Sequence, residues 1–295
     1  MKKSILILNI LLVALVTSCK EAKETDKVIV PDETTTEEVA APERVEPKVV
    51  SYRMVKTSDW LQKIQKDSLQ LRVAYALNRT DAANLKSLDS IVVADDAAGD
   101  LAYYLPFPLE VASLKEVKKI IFFSYPTQTF AAYANGHLMH TGPTNMGRKK
   151  DPTPTGLFFT NWKAEETTST FNDEWDLKWN FNIENKLGVG FHQYSLPGYP
   201  ASHSCLRLQE RDAKYLYEFA DQWELADKET VKVKGTPVVV FGTYDFDGKK
   251  PWLQVVKSPK ALAISEEEID KVVNPFMENI MKEQKNRMSF VSQSK

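Results

Sequence analysis

Residues 120–141 read IIFFSYPTQTFAAYANGHLMHT and spell out a β-hairpin. Ile120–Phe123 is a short, continuous apolar run of the kind carried by a strand buried on both faces. Phe130–Ala134 is a second. Asn135-Gly136 then supplies the dipeptide favoured in two-residue hairpin turns, where both central residues take positive φ. Leu138–Thr141 returns as the partner strand.

Outward from this hairpin the same signals recur. The run 152–156 (PTPTG) interrupts regular structure before a strand at Leu157–Thr160. Leu187–His192, Ser204–Leu208 and Pro237–Gly242 are further strand candidates. Ala213, Leu216, Ala220 and Trp223 keep the spacing of one helical face. Strands dominate and do not alternate with helices, which argues against a doubly wound fold. The expected class for residues 117–245 is mainly β with helices (α+β). Beyond it, 246–295 reads as a helical extension. Ser265-Glu266-Glu267-Glu268 has the form of a capping box. Ile269, Val272, Val273, Phe276, Ile280 and Met281 form an apolar stripe, with Pro275 restarting the helix.

Upstream, 51–114 is a smaller region in which Leu61, Ile64, Leu69 and Leu71 fall in helical stretches. Residues 20–48 contain no aromatic residue and are rich in Glu, Thr and Pro. Such a segment cannot bury enough apolar surface to offset its chain entropy, so 19–50 is expected to be a disordered tether. Residues 1–18 resemble a bacterial lipoprotein signal: Lys2 and Lys3, an apolar run from Ile5 to Val16, then Ser18 before Cys19. That resemblance implies lipidation of Cys19, and anchoring by acyl chains to a membrane of the cell envelope, on its periplasmic side. A net charge of −2 gives nucleic acid no electrostatic footing.

The chain has two cysteines, and with Cys19 accounted for, Cys205 has no partner for a disulfide. It stands in Ser202-His203-Ser204-Cys205-Leu206-Arg207, downstream of His192. A thiol acts as a nucleophile when a base lies within reach and donors face the developing oxyanion. His192 ends one expected strand and Cys205 begins another, so the imidazole can approach the thiol. His203 is expected to point away from Cys205 along an extended segment, which makes it the weaker base. Two other readings stay open on the residues alone. Cys205 is a buried, inert cysteine, or His192, His203 and Cys205 bind zinc, although three ligands without a fourth make a poor structural zinc site.

GFHQYSLPGYPASHSCLRL, residues 190–208, resembles the active-site segment of YkuD-type L,D-transpeptidases, an upstream His followed after a loop by Ser-His-Gly-Cys-x-Arg. FSYPTQTFAAYANGHLMHTGPTNMG (123–147) and TPTGLF (153–158) resemble other parts of the same domain. The resemblance implies a YkuD-like β-sandwich with no cofactor and no metal, acting on peptidoglycan stem peptides. Cys205 would form a thioester with a tetrapeptide stem and release D-alanine, with His192 as general base. An amine acceptor then gives a 3-3 cross-link. Ser202, His203, Ser204 and Arg207 match the flanking motif, with Ser204 where the family usually has glycine. Gln193 stands where it often has glycine after the base. Trp175, Trp179 and Phe181, in EWDLKWNFNI (174–183), are candidates for walls of the donor groove, and Gln193, Tyr194 and Tyr199 for the frame of the loop. ALNRTDAANLKSLDSIVVADD, residues 76–96, resembles a degenerate LysM module, which implies contact with glycan strands. Two other functions share these features: a carboxypeptidase or cross-link hydrolase using the same Cys-His site, and a non-catalytic wall-binding lipoprotein.

Overall fold

The computed structural model describes residues 39–64, 67–168 and 176–293. The signal segment, Cys19 and Trp175 lie outside them. The first elements are β1 (Tyr52–Lys56), α1 (Thr57–Lys63), α2 (Ser68–Asn78), α3 (Ala82–Leu85) and β2 (Ser90–Ala94). β1 and β2 pair antiparallel, and α2 packs on β2. Asp67 caps α2 and Asp81 caps α3, each accepting two backbone N–H bonds. The expected helices of the small region are therefore present, joined by a two-stranded ribbon.

The main domain follows with β3 (Ile120–Ser124), β4 (Thr129–Ala134), β5 (His137–Asn145), β6 (Gly156–Phe159), β7 (Lys163–Thr168), β8 (Asp176–Glu184), β9 (Val189–Gln193), β10 (Leu206–Leu208) and α4 (Glu210–Phe219). A short ribbon of β11 (Glu224–Leu225) and β12 (Val231–Val233) precedes β13 (Pro237–Phe241), and α5 (Glu266–Val273) and α6 (Met277–Gln293) close the chain. Nine strands form one sheet in the order β6-β13-β3-β4-β5-β10-β9-β8-β7. β13–β3 and β9–β10 are its parallel pairs.

The sheet folds over on itself. Phe123 on β3 and Phe191 on β9 are four strand positions apart, about 19 Å along a flat sheet. Their rings nevertheless stack with centroids 6.2 Å apart. One core therefore joins β3, β4, β8, β9, β10 and β13 around Ala213 and Leu216 of α4. The opposite face of β3, β4 and β13 is covered by Ile269, Val273 and Ile280 of the C-terminal helices. β3 is buried along its whole length, as its unbroken apolar run requires. The hairpin turn is as expected, with Asn135 at φ 47° and Gly136 at φ 81°. The capping box of α5 is complete, and the chain passes a 3-10 turn containing Pro275 before α6.

Four local expectations are corrected. α4 ends at Phe219 and Ala220 is extended, so Trp223 is not on the helical face. β10 starts at Leu206, which leaves Ser204 and Cys205 in the turn before it. β7 and β8 were not anticipated as strands. The described part of the expected tether is docked rather than free. Arg44 donates to the Leu138 carbonyl, Val45 exchanges bonds with Asp100, and the Lys48 N–H donates to Asp96. Among the described residues no helix is long and apolar enough to cross a membrane.

Candidate active site

β9 and β10 run parallel with Leu206 opposite Phe191 and Arg207 opposite His192. Continuing that register one residue back sets Cys205 beside Gly190, whose backbone N–H lies against the thiol. Phe191 and Leu206 fill the core. Period-two alternation then puts Cys205, His192 and Arg207 together on the other face. Thiol and imidazole are diagonal neighbours, a relation that spans roughly 7–8 Å between backbones and that long side chains bridge.

His192 is buried, and its Nδ1 lies 2.9 Å from the Gln193 carbonyl oxygen. A carbonyl only accepts, so Nδ1 carries the proton and Nε2 keeps its lone pair. Burial, with a smaller push from Arg207, lowers the His192 pKa to about 4. The ring is neutral near pH 7, in the form a general base needs. Cys205 Sγ lies 3.7 Å from the Gly188 carbonyl. Burial pushes its thiol above the ordinary range, while the Gly190 N–H and Arg207 pull it down. At rest, therefore, the Cys205 thiol and the His192 imidazole are both neutral.

The turn before Cys205 is built from backbone. Ser204 has φ 77°, the left-handed region that favours glycine. Ser202 Oγ donates to the Cys205 carbonyl at 2.5 Å, and Thr153 Oγ1 donates to the Ser204 carbonyl at 2.8 Å. The N–H groups of Ala201 and Ser202 both bond the Met146 carbonyl, and Arg148 N–H bonds that of Ser202. The buried Gln128 side chain holds the neighbouring loop through Tyr125 and Met146. Ser204 and Cys205 N–H groups donate to no acceptor among the described residues. A left-handed residue between ordinary ones turns successive N–H groups into a concave, anion-accepting nest.

The remaining candidates divide. His203 is half-buried beside Arg148 (3.3 Å) and Asp151 (3.5 Å), so its ring is engaged by the 146–153 loop. Arg207 lies over the Tyr194 ring at 4.5 Å, reaches the Ser195 carbonyl and stands opposite His192 in the strand register. Tyr194 packs edge-on to His192, whereas Tyr199 is exposed against Lys250. Gln193 contributes its carbonyl to His192. Phe181 and Trp179 are not groove walls. Phe181 is fully buried against Phe191, and Trp179 packs on Tyr217 of α4. Trp179 has φ 53° at an irregularity of β8, which reverses the pleat there. As a result Leu177, Asn180 and Asn182 face a cavity of about 310 Å³ that reaches Cys205. Trp162, Lys186 and Leu187 complete much of its wall. These lining residues carried no sequence motif. Among the described residues no group of three or more His, Cys, Asp or Glu is placed to hold a metal ion.

The 194–200 loop between His192 and Cys205 is gripped by residues 79–84 of the small region. Thr80 Oγ1 donates to the Leu196 carbonyl at 2.9 Å, and Asp81 accepts from the Leu196 N–H at 2.7 Å. Asn84 Nδ2 reaches Ser195 Oγ at 2.8 Å. Asn145 ties both sides, donating to the Arg79 carbonyl and accepting from Gly198 N–H.

Residues 118–240 match the family model of the YkuD L,D-transpeptidase catalytic domain. Among solved structures, the chain is similar to the L,D-transpeptidase of Mycobacterium smegmatis at 20% identity, covering 42% of this chain and 59% of that one, with a TM-score of 0.34. An L,D-transpeptidase from Stackebrandtia nassauensis is 22% identical over 44% of this chain and 58% of that chain, with a TM-score of 0.36. A variant of the Enterococcus faecium L,D-transpeptidase is 24% identical over 42% and 50% respectively, with a TM-score of 0.34. The matched part thus spans less than two thirds of each of those chains. No curated protein matches the sequence.

Proposed function

We propose that the chain, whose residues 118–240 match the family model of the YkuD L,D-transpeptidase catalytic domain, transfers the acyl part of a peptidoglycan tetrapeptide stem through a thioester on Cys205. The observation that carries this reading is the fixed tautomer of His192. Its Nδ1–H is committed to Gln193, which leaves Nε2 as the basic nitrogen, and the β9–β10 register supports a position near Cys205. Nε2 takes the thiol proton as Sγ bonds the carbonyl carbon before the terminal D-alanine. The oxyanion that forms meets the N–H groups of Ser204 and Cys205. The imidazolium returns its proton to the departing amine, and the C–N bond breaks to leave the thioester. An amine from a second stem, deprotonated by the same imidazole, displaces the thiol and gives a 3-3 cross-link.

The cavity beside Cys205 offers amide and indole groups suited to a peptide. The LysM-like sequence of residues 76–96 supports contact of the small region with glycan strands. Cys19, at the end of an apolar signal-like run, supports a lipid anchor that keeps the enzyme at the wall on the periplasmic side.

Incubation of the purified chain with defined disaccharide-tetrapeptides, followed by mass spectrometry of the products, tests the reading. Cross-linked dimers with released D-alanine are expected. Tripeptide monomers alone would mean that water is the acceptor. Unchanged substrate would overturn the proposal.

A further inference from the structure

A second cavity, of about 180 Å³, lies away from Cys205, between the small region and residues 252–263. Arg79, at the end of α2, lines it and is only 2% exposed. Its Nε donates to the Thr127 carbonyl and its Nη1 to the carbonyls of Ala76 and Leu77. Nη2 has no acceptor among the described residues, and no carboxylate forms an ion pair with this guanidinium. Its Cζ instead lies over the Trp252 ring, 5.4 Å from the centroid. A buried charge without a counterion is costly, and removing it from water is offset only when an anion or a full set of acceptors meets it.

The cavity supplies a setting for such an anion. None of its lining residues is acidic, and Lys260 stands with Arg79 in its wall. Tyr52, also in the wall, is buried. Burial pushes its phenol up to about 12, so it stays protonated and able to donate. Leu77, Trp252 and Val255 make the rest of the wall apolar. A doubly charged, strongly hydrated anion is poorly served by such surfaces, and an ammonium group would find no acid there.

We propose that this cavity binds a small monocarboxylate with a short apolar tail, held by Arg79, Tyr52 and Lys260. The carboxylate takes the free Nη2, the phenol O–H and the ammonium, and the tail lies against Leu77, Trp252 and Val255.

Butyrate titrated into the full chain, followed by NMR of the Arg79 Nε–H and the Trp252 indole, tests the proposal. Saturable shifts at both groups are expected, with none from n-butanol or n-butylammonium, which keep the tail and change the charge. Tyr52→Phe is expected to weaken binding about tenfold, the loss of one hydrogen bond to a charged group. Lys260→Met, at an exposed position, is expected to weaken it about threefold. Arg79 itself is left intact because its bonds also hold the end of α2. The proposal fails if butyrate does not saturate, or if the Tyr52→Phe, Lys260→Met double variant binds it as tightly as the native chain. It also fails if the shifts appear at Trp162 of the Cys205 cavity instead, or if phosphate binds while butyrate does not.

Discussion

The loop from Tyr194 to Cys205 and the β7–β8 pair border the same thiol, yet they are held in different ways. The loop is fixed by hydrogen bonds from two separate parts of the chain, residues 79–84 and the 145–153 segment. β7 is the edge of the nine-stranded sheet, reads KAEETT and is largely solvent-facing. The first arrangement fixes His192, Cys205 and the turn between them relative to each other, which under the proposed function is where rate is gained. The second lines the cavity with amides, an indole and a lysine near the sheet edge, which suits recognition of a peptide. Disturbance of the loop is therefore expected to act on kcat, and disturbance of the β7–β8 wall on KM.

The largest break expected in this contrast is at the base. His192→Ala should lower kcat by on the order of 10²-fold or more, the scale of a positioned acid-base group. His203→Ala should cost less, since its ring faces Arg148 and Asp151. A reversal of the two, in folded variants, would assign the proton transfer to the wrong ring. The depressed pKa of His192 also sets pH windows. Activity should hold until the pH falls toward about 4. Because its folded pKa lies below its ordinary value of 6.5, the unfolded chain binds the extra proton first. This group's contribution to stability is complete above pH 6.5 and is lost as pH falls toward about 4. Denaturant midpoints measured across that range should decline for the native chain and decline less for His192→Gln.

The loop's grip is the next test. Asp81→Ala removes the acceptor of the Leu196 N–H and should lower kcat about tenfold with little change in KM, as a small misplacement of reacting groups does. Trp162→Ala, on the cavity wall opposite, should instead raise KM about threefold and leave kcat nearly unchanged, the pattern of lost uniform binding. Steady-state kinetics on a tetrapeptide donor separates the two. Equal effects of both variants on kcat would erase the distinction between the walls.

Much of the fold was legible because its signals are local. The IIFF run, Asn135-Gly136 and Ser265 with Glu268 each act within a few residues, and His192 and Cys205 were read at the ends of two strands joined by one loop. The strands β7 and β8 escaped because KAEETT has no apolar alternation and Trp179, at positive φ, reverses the pleat of β8. The same reversal explains why Phe181, read as a groove wall, is core. The grip of residues 79–84 on the loop spans more than a hundred positions of sequence, and nothing in Thr80-Asp81 alone announces its partner.

The smallest effect concerns Ser204. Its sequence departs from the family's glycine, and its φ of 77° lies where a side chain is strained. Ser204→Gly should raise stability by about 1 kcal/mol through relief of that strain, offset in part by a more flexible unfolded chain. Chemical denaturation measures it directly. A destabilised Ser204→Gly variant would show that the serine side chain contributes to the turn.

Intact-protein mass spectrometry after exposure to a carbapenem, whose strained β-lactam amide is open to attack by a nucleophilic thiol, tests the assignment of Cys205 itself. The native chain is predicted to gain the mass of one drug molecule, on the peptide containing Cys205, and Cys205→Ala to gain none. Equal labelling of the two proteins would contradict the account.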